Sequence, residues 1–129
     1  MANTAIREIT ASELNELLRH KGVVLADFSA TWCPPCRAMA PIVERLAARF
    51  AGRADVVKID VDQADELASA HGVRGLPTFL LFADGQVVER VVGTTSETAL
   101  AALIESQLAP ARESASHYFN DTLPAFLRS

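Results

Sequence analysis

Seven consecutive residues, Val23-Val-Leu-Ala-Asp-Phe-Ser29, constrain the fold more than any other stretch of the chain. A strand with one face in water alternates polar and apolar side chains. This one is near-continuously apolar, broken only by Asp27, so both of its faces must be covered, and helices on the two sides of a sheet do that. The strand also ends at Trp32-Cys33-Pro34-Pro35-Cys36, a string that holds both cysteines of the chain and lies where a helical pattern begins.

Around this strand the pattern reads as a short strand over 5–10 and a helix from Ala11 to about His20, opened by the capping-box pattern Thr10-Ala-Ser-Glu13 and closed at Gly22. A helix follows the cysteine string to about Phe50, with Met39, Ile42, Val43, Leu46 and Phe50 on one face and Pro41 in its interior, where a kink is expected. Residues 54–61 form a second buried strand, 64–71 a short helix, and 72–77 a loop. Thr78 to Phe82, the Asp84-Gly85 turn and Val87 to Val92 form a hairpin, and Glu97 to Leu108 a last amphipathic helix. The order β-α-β-α-β-α-β-β-α predicts an α/β fold: a central mixed five-stranded sheet flanked by four helices in three layers.

The cysteine spacing carries the chemistry. Residues i and i+3 on a first helical turn have Cβ atoms about 5 to 6 Å apart, close enough to open and close a disulfide without refolding. A structural staple is the bland alternative, but a four-residue loop contributes only about 2 kcal/mol, against roughly 4.7 for a hundred-residue loop. A metal site is the other, but structural zinc takes four Cys or His ligands, and only the scattered His20, His71 and His117 remain. A redox dithiol is the favoured reading.

At 129 residues, half of them hydrophobic, the chain has enough material for one core and too little for two ordinary domains. The domain is expected over 1–109. Residues 110–129 read as an extension in which Pro, Ser, Asn and Ala dominate, with Tyr118, Phe119, Leu123, Phe126 and Leu127 near the end. A net charge of -4, from 12 basic and 16 acidic residues with no basic run, argues against nucleic acid and anionic membranes as partners. With neither a signal-peptide pattern nor an apolar run of about 18 residues, a soluble cytoplasmic protein is the expectation. Cytosolic thiols are kept reduced, which favours a catalytic pair over a structural one.

In element order and in local motifs the chain resembles the thioredoxin family over about residues 5–109. The matching stretches are Asp27-Phe28, Ala30-Thr31-Trp32-Cys33, Pro35-Cys36-Arg37, Pro41, Lys58-Ile59-Asp60, Gly75-Leu76-Pro77-Thr78, Gly85 and Val92-Gly93. The resemblance implies a disulfide reductase in which Cys33 attacks a target disulfide and Cys36 resolves the mixed disulfide. It further implies Asp27, with Lys58 nearby, as the group that moves the Cys36 proton, and Pro77 as a cis-proline facing the cysteines. A flat, mostly apolar rim of Trp32, Pro34, Val73, Arg74, Gly75, Leu76, Val92 and Gly93 would meet partners. No bound cofactor is implied; electrons would come from NADPH through a thioredoxin reductase, and disulfide-containing proteins would be the substrates of a monomer.

Elementary chemistry agrees with this division. Cys33 at a helix N-terminus faces unpaired N–H groups and the positive dipole end, which favour thiolate, while Cys36 is expected one turn inward and more buried. Asp27 is a carboxylate inside an apolar strand, a local conflict of the kind found at functional sites, and burial should raise its pKa. A satisfied core Asp, a trans Pro77 and ordinary packing of the rim residues are the alternatives. Three departures from the family stand out. Pro34 replaces a glycine common in the family and removes an N–H near the Cys33 sulfur, Ser29 stands where a tryptophan is frequent, and 110–129 lie beyond the usual end. Pro34 leaves open a more oxidising isomerase or oxidase, and the rim or extension leaves open a protein-binding module that turns over no disulfide.

Overall fold

The computed structural model describes residues 6–108. The elements run β1 (Arg7–Glu8), α1 (Ala11–Leu18), β2 (Val23–Ser29), α2 (Pro34–Arg49), β3 (Asp55–Asp60), α3 (Asp65–Ala70), β4 (Thr78–Ala83), β5 (Gln86–Val92) and α4 (Glu97–Leu108). The five strands form one sheet in the order β1-β3-β2-β4-β5. β1 and β2 lie parallel to β3, β4 is antiparallel to β2, and β5 closes the hairpin with β4. The expected mixed sheet with four helices is the fold found. The extension over 110–129 and its aromatic cluster lie outside the described residues.

Every residue of β2 is buried, as its composition requires. Its odd-numbered positions Val23 and Leu25 face a core made with Met39, Val43, Leu46 and Phe50 of α2 and Leu100, Ala101 and Ile104 of α4. Its even-numbered positions Val24, Ala26 and Phe28 face a second core with Leu14 of α1, Ala68 of α3, and Val57, Ile59, Leu80 and Phe82 of the sheet. Asp27 and Ser29 therefore fall on the α2 side by the two-residue period of the strand.

Local chemistry sets the boundaries. The Thr10 side chain accepts from the Glu13 N–H at 3.1 Å and the Glu13 carboxylate accepts from the Thr10 N–H at 2.8 Å, completing the capping box. That cap ends β1 early: the strand expected over 5–10 is two residues long, because Thr10 has already turned toward α1. α1 ends at Leu18 rather than near His20, and α2 continues as a helix through Pro41. The hairpin turns at Asp84 and Gly85, both with positive φ, and the Asp84 carboxylate accepts from the Gly22 N–H at 3.0 Å. α4 lies alongside α2, where Arg45 pairs with Glu97 at 2.7 Å and Arg53 with Glu105 at 3.7 Å.

Candidate active site

β2 ends at Ser29, and four residues later Cys33 caps α2. With Pro34 and Pro35 in the first two helical positions, the first two backbone donors of the helix are missing. The first N–H left is that of Cys36, and it donates to Cys33 Sγ at 3.3 Å. The sulfur thus takes the place of the hydroxyl or carboxylate oxygen that usually caps a helix, at the positive end of the helix dipole. The Arg37 N–H donates to the Cys33 carbonyl at 3.1 Å, and the Arg37 guanidinium to the Thr31 carbonyl at 2.9 Å, which hold the turn.

Cys33 and Cys36 form a disulfide, with Cα atoms 5.3 Å apart. Both residues are buried, 4 % and 5 % exposed, in a small cluster with Ala30, Val61 and Leu76. This corrects the expectation that Cys36 is the more buried of the two. With the sulfurs joined, the same lid of Ala30 and Leu76 covers both. What separates them is direction: Cys33 Sγ takes the helix N–H, and Cys36 lines a cleft of about 390 Å³ with Ala30, Thr31, Arg37, Ala40 and Lys58.

The Leu76–Pro77 peptide bond is cis. Its loop is tied down by Thr78 Oγ1 donating to the Gly75 carbonyl at 2.6 Å and by the Gly93 N–H donating to the Pro77 carbonyl at 2.8 Å. A side chain at position 75 would meet Val92 Cγ1 at 3.1 Å, so a glycine there lets the loop close against β5. Leu76 packs against the cysteine cluster, while Trp32 and Val92 are 63 % and 59 % exposed. Pro34 and Arg74 are also exposed, and Val73, Gly75 and Gly93 are half-buried.

Trp32 is anchored by a residue that the sequence reading missed. Its indole N–H donates to the Asp62 carboxylate at 2.7 Å, across 30 residues of chain. Asp62 is an acidic residue in an unremarkable turn, and no local pattern marks it.

Asp27 is 2 % exposed, flanked in the sheet by Lys58 on β3 and Phe79 on β4. Burial pushes its carboxyl up from the ordinary 3.8 to about 7, while the charge of Lys58 opposes the rise. No ion pair joins the two among the described contacts, and Asp27 Oδ1 has no hydrogen-bond partner among the described residues. The carboxyl therefore lies inside the sheet on the strand that leads into the cysteine turn.

The chain that carries this disulfide, with Leu76 of the cis-proline loop packed against it, is similar to known proteins over most of its length. The family model described as Thioredoxin covers residues 5–106. The chain belongs to the thioredoxin family. A thioredoxin of Staphylococcus aureus is 40 % identical over 104 residues, covering 81 % of this chain and 99 % of that protein. A solved structure of a mutant thioredoxin from Halobacterium salinarum is 48 % identical, with a TM-score of 0.73, covering 84 % of this chain and 96 % of that one. This thioredoxin is accordingly a thiol–disulfide oxidoreductase acting on proteins. Among its described residues no helix is long and apolar enough to cross a membrane, and no three His, Cys, Asp or Glu side chains group as metal ligands.

Two predictions follow from the buried carboxyl and the double proline. The raised Asp27 pKa means that the folded state keeps a proton the unfolded chain gives up, so stability is fully present below pH 3.8 and is lost as pH rises through about 7. The full shift corresponds to at most about 4 kcal/mol at ~1.4 kcal/mol per pH unit. Asp27→Asn should therefore gain stability relative to the parent from about pH 4 to about pH 8 in urea unfolding of the oxidised proteins; parallel pH curves would contradict it. Pro34→Gly should lower the Cys33 thiol pKa by restoring an N–H at the first helical position, seen as an earlier rise of thiolate ultraviolet absorbance with pH.

Proposed function

We propose that this thioredoxin reduces disulfides of partner proteins, with Cys33 as the attacking thiolate and Cys36 as the resolving thiol. The observation that carries the assignment is the Cys36 N–H aimed at Cys33 Sγ at the start of α2, which stabilises negative charge on Cys33 and offers no such donor to Cys36. Exchange runs best when the attacking thiol has a pKa near ambient pH, and one remaining donor in place of several suits a moderate shift.

The cycle then needs a group that takes the Cys36 proton while the mixed disulfide is resolved. Asp27 fits: a carboxyl with a pKa of about 7 can both accept and return a proton at neutral pH. Lys58 faces the same cleft as Cys36 and lies beside Asp27 in the sheet, so its charge favours the ionised carboxylate that must act as base. Cys36 gives up its proton toward Asp27 and attacks Cys33 Sγ. The Cys33–Cys36 bond forms, the bond between Cys33 and the target breaks, and the target leaves as a thiolate.

Substrate docking falls to the exposed surface around the pair. Trp32, Pro34, Val73, Arg74 and Val92 present a mostly apolar rim, and in this reading an extended substrate segment pairs with the backbone of Leu76. Electrons reach the oxidised form from NADPH through a thioredoxin reductase that uses the same rim, so no cofactor resides in the protein. Residues 1–109 are the working unit, with 110–129 as an extension, and the protein acts as a cytoplasmic monomer.

Two experiments test these roles. Cys36→Ser should accumulate a mixed disulfide with a protein substrate through Cys33, visible as a reductant-sensitive adduct by mass, whereas Cys33→Ser should form none. Equilibration of the pair against graded glutathione buffers should give a midpoint at or below the cytosolic pool, roughly -220 mV or more reducing. A midpoint near the about -120 mV of strong disulfide-forming oxidants would overturn the reductase direction.

A further inference from the structure

Helix α3, which leads into the cis-proline loop, has six residues and no side-chain cap at its N-terminus. A helix of that length is not stable by itself, so its last turn needs ties from outside. One tie is apolar. The His71 ring lies edge-on to Phe82 with centroids 5.7 Å apart and tilted against Phe28 at 6.3 Å, and both phenylalanines belong to the second core. The other tie is polar and comes from the edge strand β5, where the Arg90 guanidinium donates to the His71 carbonyl. A carbonyl at a helix C-terminus has no partner inside the helix and lies at the negative end of the dipole, so a guanidinium suits it on both counts.

Strand register brings Arg90 to this place. It lies opposite Leu80 of β4, whose side chain belongs to the second core, and cross-strand partners share a face. Arg90 therefore stands on the α3 side of the sheet, and Val92, two residues on, stands there with it, while Val91 between them packs against the first core. Val92 Cγ1 comes within 3.1 Å of where a side chain at position 75 would begin, and the Gly93 N–H donates to the Pro77 carbonyl at 2.8 Å. The end of β5 thus meets the loop at its start, middle and end, at His71, Gly75 and Pro77. Arg90 takes part in no ion pair among the described residues, which leaves its guanidinium to the carbonyl.

We propose that Arg90 is a positioning residue for substrate docking: by tying the C-terminal end of α3 to β5 it holds Val73, Arg74 and Gly75 in the conformation that presents the Leu76 backbone to a partner protein. This rests on the reading of that loop as the docking surface of a disulfide reductase. A loop without the tie has to be ordered as the partner arrives, and that ordering cost is taken out of the binding free energy. The hydrogen bonds of the cysteine turn are made within the turn, by Cys36 and Arg37. Loss of the Arg90 tie therefore acts on the affinity for a protein substrate and leaves the exchange step at Cys33 as it was.

His71 is a built-in reporter of the contact. Burial first, and then the charge of Arg90, hold its imidazole below the ordinary 6.5. Removing the guanidinium takes away the second cause, so the His71 midpoint rises. A lysine at position 90 keeps both a positive charge and a donor, whereas a methionine keeps the apolar stem and loses both.

The test compares the full-length parent with Arg90→Met and Arg90→Lys, all pre-reduced, in single-turnover reduction of insulin over a range of insulin concentrations. Bis(2-hydroxyethyl) disulfide serves as a small substrate that needs no extended pairing, and NMR follows the titration of the His71 ring. Arg90→Met should raise the half-saturating insulin concentration about fivefold, the fold-change of one ordinary hydrogen bond, with the limiting rate and the reduction of the small disulfide unchanged. The His71 midpoint should rise in the same variant. Arg90→Lys should return both quantities toward the parent. An unchanged half-saturating concentration in Arg90→Met, with the His71 midpoint raised, would show the contact to exist without serving docking and would overturn the role. A His71 midpoint that stays put would show that Arg90 is not seated on the loop and would overturn it too. Equal slowing of insulin and the small disulfide would put the effect on the cysteines or on the fold at large, again against the proposal. A parent that reduces the small disulfide but not insulin would remove the reading of a protein-disulfide reductase itself, and the role of Arg90 with it.

Discussion

The placement of strand β2 at the middle of the sheet is the constraint on which the site depends. Its backbone is paired on both edges, with β3 and with β4, and its side chains are buried on both faces. A strand held this way cannot shift register without carrying Val23 and Leu25 out of one core and Val24, Ala26 and Phe28 out of the other. Its C-terminal end is therefore a fixed point from which the next four residues deliver Cys33 to the start of α2. The same rigidity makes a buried carboxyl tolerable at position 27, because the surrounding apolar contacts offset its desolvation.

From that fixed point the electrostatics divide into two levels. At the top, the dipole and the one free N–H of the first turn act on Cys33 Sγ, and the two prolines limit how many donors the sulfur receives. Within β2, burial acts on Asp27 in the opposite sense, raising its pKa to about 7. The chain thus combines a helix terminus that favours an anion with a strand interior that disfavours one. The cis-proline loop completes the arrangement from β4, with Leu76 closing over the sulfurs and the exposed Trp32 and Val92 bordering them.

Much of this was legible in the sequence because the relevant forces are local or periodic. The doubly apolar run of β2, the capping box at Thr10 and the 3.6-residue spacing of Met39, Val43, Leu46 and Phe50 each follow from the chemistry of neighbours in the chain. The family motifs then tied Cys33, Cys36, Asp27 and Pro77 together across 50 residues that periodicity alone cannot connect. The contacts that escaped are the ones with no local signature. The Trp32–Asp62 bond joins residues that meet only because β3 runs beside β2, and the shortness of β1 reflects the competition between a two-residue edge pairing and the helix cap that follows it.

The sequence by itself determined the layer architecture, the cysteine chemistry and the turn positions, because hydrophobic period, proline and glycine backbone limits and a four-residue cysteine spacing act without reference to the rest of the molecule. Only the tertiary structure decided how the two cysteines differ. Their burial is equal, and the asymmetry lies in the direction of one N–H and one cleft. It also decided that Asp27 Oδ1 and Ser29 Oγ find no partner among the described residues, since whether a buried polar atom finds one depends on which strands and helices close over it.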